Sequence, residues 1–326
     1  MKKIVFNTGF LIAALLYIST AIAQNDGKEL KYSKSKNYSK SYSVSGSDKI
    51  SLDNQFGDIK LITWDKNEVK VDVSMTGKAN EEDHAQEIVD RMNIEDSKSG
   101  GTVSFKTTIG KEKKTRNNTS QTFEINYTVY LPSNNTLKVA NQFGDIILPD
   151  YRGEVTISSK FGSLKAGKIS NPDDVTVEFG KAEIEQLNGG SLTIKFSEGT
   201  VNKLSGTVKT SLEFSSVKLV IDNDVKGLTV NNSYSTVYLD VDKGLSATYD
   251  ISTSHGNFSN KSDFNLKTQG DPHSSYGPVF NYRYTGTSGG GSIKIKASAS
   301  FGEFILGHNL KVDLSDKKKS KGTKNG

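Results

Sequence analysis

Four histidines, scattered carboxylates and one aromatic-rich stretch are the residues of this 326-residue chain from which chemistry could be built. His84, His255, His273 and His308 are far apart in sequence. None shares the i, i+4 spacing by which a helix turns two imidazoles towards one metal. HExxH, GxSxG and CxxC are absent, and there is no cysteine. Thiol nucleophiles, thiolate ligands and disulfides are thereby excluded together. Asp222-Asn223-Asp224 and Asp240-Val241-Asp242-Lys243-Gly244 carry carboxylates of the kind calcium uses. They lack the regular glycine-aspartate nonapeptide and read as turns. The remaining grouping is Asp271, His273, Phe280, Tyr282 and Tyr284, beside a glycine-rich run at 286–291. Alternating rings next to a loop suit stacking on sugars, and an acid with an imidazole suits glycoside chemistry. These five form a candidate ligand strip, with burial of the rings in the core as the competing reading.

The elements that would position such residues come from a repeat. Asn141-Gln142-Phe143-Gly144-Asp145-Ile146-Ile147-Leu148 is anticipated upstream by Asn54-Gln55-Phe56-Gly57-Asp58-Ile59-Lys60-Leu61. Degraded copies follow around Phe161, Phe179, Phe196, Phe214, Tyr234, His255, Tyr276 and Phe301, spaced 18, 18, 17, 18, 20, 21, 21 and 25 residues apart from Phe143 onward. That beat is too short for ankyrin or propeller units and fits one turn of a parallel, all-β solenoid, with right-handed coiling favoured. Apolar residues alternate before each aromatic and restart three and five places after it. A strand has period two, so the parity change marks a corner. The corner residue is always small: Gly57, Gly144, Gly162, Gly180, Ser197, Ser215, Ser235, Gly256, Gly277 and Gly302. The aromatics are expected to stack inside the coil, with His255 a core substitute for phenylalanine. Lys160, Glu178, Lys195 and Glu213 precede successive aromatics. Opposite charges one rung apart read as register control.

The chain divides accordingly. Residues 1–23 have Lys2 and Lys3, an apolar run from Phe10 to Ile18 and Ala21-Ile22-Ala23, the pattern of a secretory signal. Residues 24–48 read as a flexible lead-in in which Tyr42-Ser43-Val44 joins a sheet edge. A first rung (49–61) precedes a strand–helix–strand–strand unit (62–135) that caps the stack, since an uncovered end rung is a pairing edge. The solenoid then runs from 136 to 308, with rungs that lengthen and flare at 264–292, followed by a basic, disordered tail at 309–326. Net charge is +5; removing Lys2 and Lys3 leaves +3, and Lys317, Lys318, Lys319, Lys321 and Lys324 account for more than all of that. The body therefore offers no basic face for nucleic acid. Beyond the signal no stretch is apolar enough to span a membrane.

The repeated Asn-Gln-Phe-Gly-Asp-Ile phrase after a signal segment, interrupted by a β-α-β unit, resembles the bacterial putative-adhesin family, exported β-solenoid domains related to head-GIN adhesin domains. The resemblance runs from about residue 40 to 308. It implies a cell-envelope or surface location and brings no catalytic residue with it. The expectation is an exported, non-enzymatic protein without metal or cofactor, contacting glycan or an envelope or surface protein. A carbohydrate-binding or carbohydrate-active site in the flared rungs is the alternative.

Overall fold

The computed structural model describes residues 29–112, 120–269 and 280–314. The expected signal segment, Asp271, His273, Tyr276, Gly277, Lys317, Lys318, Lys319, Lys321 and Lys324 lie outside the described residues. Within them the chain is nearly all β, with one helix and a large mixed sheet that does not close on itself.

The first third holds β1 (Tyr32–Ser43), β2 (Lys49–Gln55), β3 (Ile59–Trp64), β4 (Glu68–Ala79), α1 (Glu82–Arg91), β5 (Met92–Ser99), β6 (Thr102–Ile109) and β7 (Gln121–Pro132). β2 and β3 are the repeat's first copy, with Ile50, Leu52, Ile59 and Leu61 buried. They lie on β6 and β7 in parallel register. β4 runs antiparallel to β7, and β1 antiparallel to β4. The expected flexible lead-in is thus a twelve-residue edge strand over most of its described part. Its Ser/Lys/Tyr composition hides the pairing because only one face is covered, and Lys34, Lys36 and Lys40 discourage further strand addition. α1 lays His84, Ala85, Ile88 and Val89 on the sheet. Gly77 leaves the space for Ile88, whose Cγ2 would sit 2.7 Å from a Cβ there. β5, absent from the sequence reading, forms a hairpin with β6.

The remainder comprises β8 (Thr136–Gln142), β9 (Ile146–Leu148), β10 (Tyr151–Lys160), β11 (Ser163–Glu178), β12 (Lys181–Lys195), β13 (Glu198–Glu213), β14 (Ser216–Ser233), β15 (Thr236–Val241), β16 (Ala247–Ser254), β17 (Asn257–Lys261), β18 (Leu266–Gln269), β19 (Asn281–Ser288), β20 (Ile293–Ser300) and β21 (Glu303–Gly307). From β8 to β15 each copy pairs in parallel with the next, Gln142, Lys160, Glu178, Lys195, Glu213 and Ser233 falling into one register. The apolar set before and after each corner is fully buried, for example Ile157, Leu164, Val177, Ile194 and Leu239.

Sequence order then breaks. β20 and β21 pair in parallel with β14 and β15 on one side and with β16 and β17 on the other. The last copy is therefore inserted before the copy at 247–261. Its inward set (Ile295, Ala297, Phe304, Leu306) is buried and needs a neighbour on both sides. β17 contributes only a half-buried Phe258, so its copy suits the end of the stack. Beyond it the flared segment returns antiparallel, β19 on β16 and β18 on β19.

Candidate interaction surface

Each copy of the repeat turns at its aromatic residue. Phe56, Phe143, Phe161, Phe179, Phe196, Phe214, Tyr234, His255 and Phe301 all have φ between +49° and +64°. Of the described small residues that follow them, only Gly57 has a positive φ, +155°, and the left-handed conformation belongs to the ring-bearing residue. Such a conformation costs an L-residue roughly 1–2 kcal/mol. Each of these N–H groups is nevertheless bonded: all but His255 donate to the carbonyl before the next aromatic of the stack, as Phe161 does to Glu178 at 2.9 Å and Tyr234 to Ser300 at 3.0 Å, and His255 donates to the Phe280 carbonyl at 2.9 Å.

The small residue serves close approach. A Cβ on Gly144, Gly162 or Gly180 would lie 1.9–2.0 Å from the carbonyl oxygen of the corresponding glycine one copy earlier. In the middle of the stack serine takes over and its hydroxyl bonds along the column: Gly180 N–H donates to Ser197 Oγ, Ser197 N–H to Ser215 Oγ, and Ser215 N–H to Ser235 Oγ, at 3.0–3.2 Å.

The left-handed turn throws the ring outward, which corrects the expected internal stack. Phe143, Phe161, Phe179, Phe196, Phe214, Tyr234, Phe301 and Phe280 are 43–52% exposed. They form one column in the order Phe56, Phe143, Phe161, Phe179, Phe196, Phe214, Tyr234, Phe301, His255, Phe280, with centroids 4.6–5.1 Å apart. From Phe56 to Phe301 the ring planes agree within 8°. His255 is an exposed member between Phe301 and Phe280, and not a core residue. Phe123 closes the other end edge-on against Phe56. Beside the rings, Lys160 pairs with Glu178 at 3.0 Å and Lys195 with Glu213 at 3.4 Å.

The candidate ligand strip divides. Phe280 ends the column. Tyr282 and Tyr284 are half-buried; Tyr284 leans on Phe258 at 4.6 Å, and burial raises its hydroxyl pKa. Arg283 makes a two-bond pair with Asp250 at 2.7 and 2.9 Å, which holds that carboxyl below its usual range. A shallow hollow of about 340 Å³ lies here, lined by Ser252, Gln269, Asn281, Tyr282 and Arg283.

The other titratable groups are dispersed. His84 is buried 3.6 Å from Glu112. His308 bridges the Val241 carbonyl (Nδ1, 2.7 Å) and Asp263 (Nε2, 2.8 Å), tying the end of β21 to β15. Lys203 sits between Asp222 and Asp224, and the Asp242 carboxylate accepts from Gly244 N–H. Among the described residues no three His, Asp or Glu side chains converge.

Sequence reasoning missed Trp64, the sole tryptophan, although its place at a strand end was readable. It stacks on Tyr130 at 5.3 Å, donates to the Glu68 carbonyl and borders a groove of about 460 Å³ with Asp65, Asp150, Arg152 and Lys168. It also missed the buried Asn54, Asn141 and Asn232, whose amides donate to corner carbonyls, as Asn141 does to Gly57 at 2.8 Å.

No family model matches this chain, and no curated protein matches it. Among solved structures it is similar to a putative adhesin from Bacteroides fragilis, at 13% identity and TM-score 0.40 over 83% of this chain and 97% of that one. A putative cell adhesion protein from Clostridium sporogenes aligns at 14% identity and TM-score 0.25, over 85% and 100%. A putative lipid binding protein from Parabacteroides distasonis aligns at 14% and 0.33, over 84% and 97%.

Proposed function

We propose that the chain is an exported, non-enzymatic β-solenoid of right-handed coil, acting at the cell envelope or surface as an adhesin or envelope-interaction protein. The aromatic column is its contact surface. The observation that carries this reading is the column itself: seven rings from Phe143 to Phe301, each about half exposed, in one unbroken line. A contiguous apolar strip of that size is a mark of an interaction site on a folded protein. The test is retention of the exported chain on intact cells, envelope fractions and glycan or matrix-protein arrays, compared with a Phe161→Asn/Phe196→Asn variant. Asparagine tolerates the left-handed conformation, so the variant removes rings and keeps the corner. Retention should fall about tenfold, the loss of roughly 1.4 kcal/mol. Equal retention by both proteins, or none by either, would reject the reading.

The carbohydrate alternative is favoured by one observation, the hollow beside Tyr282 with its hydroxyl and amide lining. Glycan binding or polysaccharide turnover abolished by Tyr282→Ala would support it, and a blank glycan array would dispose of it.

A further inference from the structure

The geometry of the column restricts what can cover it. Neighbouring rings are nearly parallel at under 5.2 Å, so each ring's two faces are occupied by its neighbours. Sugars and cations recognise aromatic faces. Along this column only ring edges remain, and an edge is apolar with a weakly positive rim. A matching surface must be apolar, long, narrow and repeated at the same interval. Strand-to-strand spacing in a β-sheet supplies that interval, about 4.8 Å. Stacked β-segments do meet through identical side chains interdigitated at this repeat. A second copy of the chain has the required period throughout.

Area and charge agree with that occupant. At 43–52% exposure, and with about 200 Å² for a whole aromatic side chain, the seven rings from Phe143 to Phe301 offer roughly 650 Å². A stable interface takes about 800 Å² from each partner, which the flanking side chains complete. On one flank the stack reads Lys160, Glu178, Lys195, Glu213. Reversed about the midpoint between Glu178 and Lys195, this series places Lys160 opposite Glu213 and Glu178 opposite Lys195. The other flank is partly occupied by the chain's own Val312–Leu314, which lines a hollow with Glu198 and Thr200, Leu314 also lining one with Phe196 and Phe214. Two copies with columns antiparallel can close on their free flanks together. Parallel columns would set each free flank against an occupied one.

We propose that two copies associate column to column, antiparallel, about a two-fold axis between the levels of Phe179 and Phe196. The proposal rests on reading the column as a contact surface and names its partner as the chain itself. Such an isologous contact closes on itself and does not propagate. Carried on facing cells, it would join like to like.

Sedimentation velocity on the exported chain, from about 0.1 to 100 μM, tests it. A concentration-dependent dimer is expected. Lys195→Glu should raise the dissociation constant about tenfold, because the two-fold places the change in the interface twice and each rim pair is worth up to about 1 kcal/mol. Adding Glu178→Lys should restore it. The chain has no cysteine, so disulfide trapping reports register without background. A mixture of Lys160→Cys and Glu213→Cys chains should oxidise to a mixed dimer that neither forms alone. A monomer at every concentration, or equal trapping in the single variants, would overturn the proposal. If the chain is monomeric yet Phe161→Asn/Phe196→Asn loses envelope retention, the contact surface stands and the second copy does not. If that variant also keeps its retention, both fail.

Discussion

The six-residue phrase can be assigned atom by atom. Asparagine two places before the aromatic is buried and donates to corner carbonyls; Asn141 reaches Gly57 and Asp145. The aromatic makes the left-handed turn, glycine admits the neighbouring carbonyl, and aspartate accepts from the next copy. Asp145 N–H donates to Asp58 Oδ1, and Ser163 N–H to Asp145 Oδ1. From Gly180 onward the phrase degrades because backbone replaces that carboxylate: Glu198 N–H donates to the Gly180 carbonyl, Ser216 to Ser197 and Thr236 to Ser215. Two outcomes follow at this scale. Asn141→Leu removes the donor to two carbonyls and should lower the urea-derived unfolding free energy by about 2 kcal/mol. An unchanged value would mean that water takes the amide's place. Phe179→Ala and Phe179→Gly both lose two ring contacts, but only glycine is at ease with φ +58°. The usual order in strands is thereby inverted, and the glycine variant should be the more stable by about 1 kcal/mol. Equal midpoints would show that the corner relaxes when the ring goes.

Among the elements, what repeats was legible; β1, β5 and the order of the last copies were not. Equivalent residues announce themselves through spacing, so the corners, the inward strands and the charge series are readable from the phrase. Periodicity says which residues share a side but not which side that is. Large apolar rings are expected inside, whereas the left-handed turn at the ring-bearing residue points them out. Stack order was hidden for a different reason: β20 and β21 carry a good inward set, and burial on two sides, not chain order, decides their place. β1 was hidden because a strand covered on one face and rich in lysine carries little apolar pattern. Its attachment has a pH signature. The Tyr42 hydroxyl on β1 donates to Asp96 on β5, which holds that carboxyl below its ordinary range. A depressed carboxylate pKa stabilises above the unfolded value, near 3.9, and the stabilisation is lost as pH falls through the lower folded value. The protection of β1 amides, measured against the intrinsic exchange rate at each pH, should therefore fall as pH drops below about 3.9. Tyr42→Phe should flatten that dependence; a variant that keeps the full slope would assign it to another carboxylate.

At the scale of the whole molecule, each central copy pairs its strands only with its two neighbours. β12 pairs with β11 and β13, and β13 with β12 and β14. Stability in such an array is a sum over copies and the contacts between them, and the chain unfolds as one unit only while every contact outweighs the gain from breaking there. Ile194, fully buried on β12, lies over Gly199, where a Cβ would sit 2.5 Å from its Cδ1. Ile194→Ala should cost about 3 kcal/mol through lost transfer and the cavity left behind. Because the lesion sits mid-stack, it weakens the link between the capped N-terminal part and the C-terminal part locked by β20 and β21. The intact chain should lose amide protection in β2 and in β20 together as urea is raised. In Ile194→Ala the two should separate, and the apparent slope of the overall transition should fall below that of the intact chain. If both strands of the variant still open in step, with the slope unchanged and only the midpoint lowered, coupling along the stack is strong enough to survive a weak copy. The structure would then be a single cooperative body and not a string of neighbours.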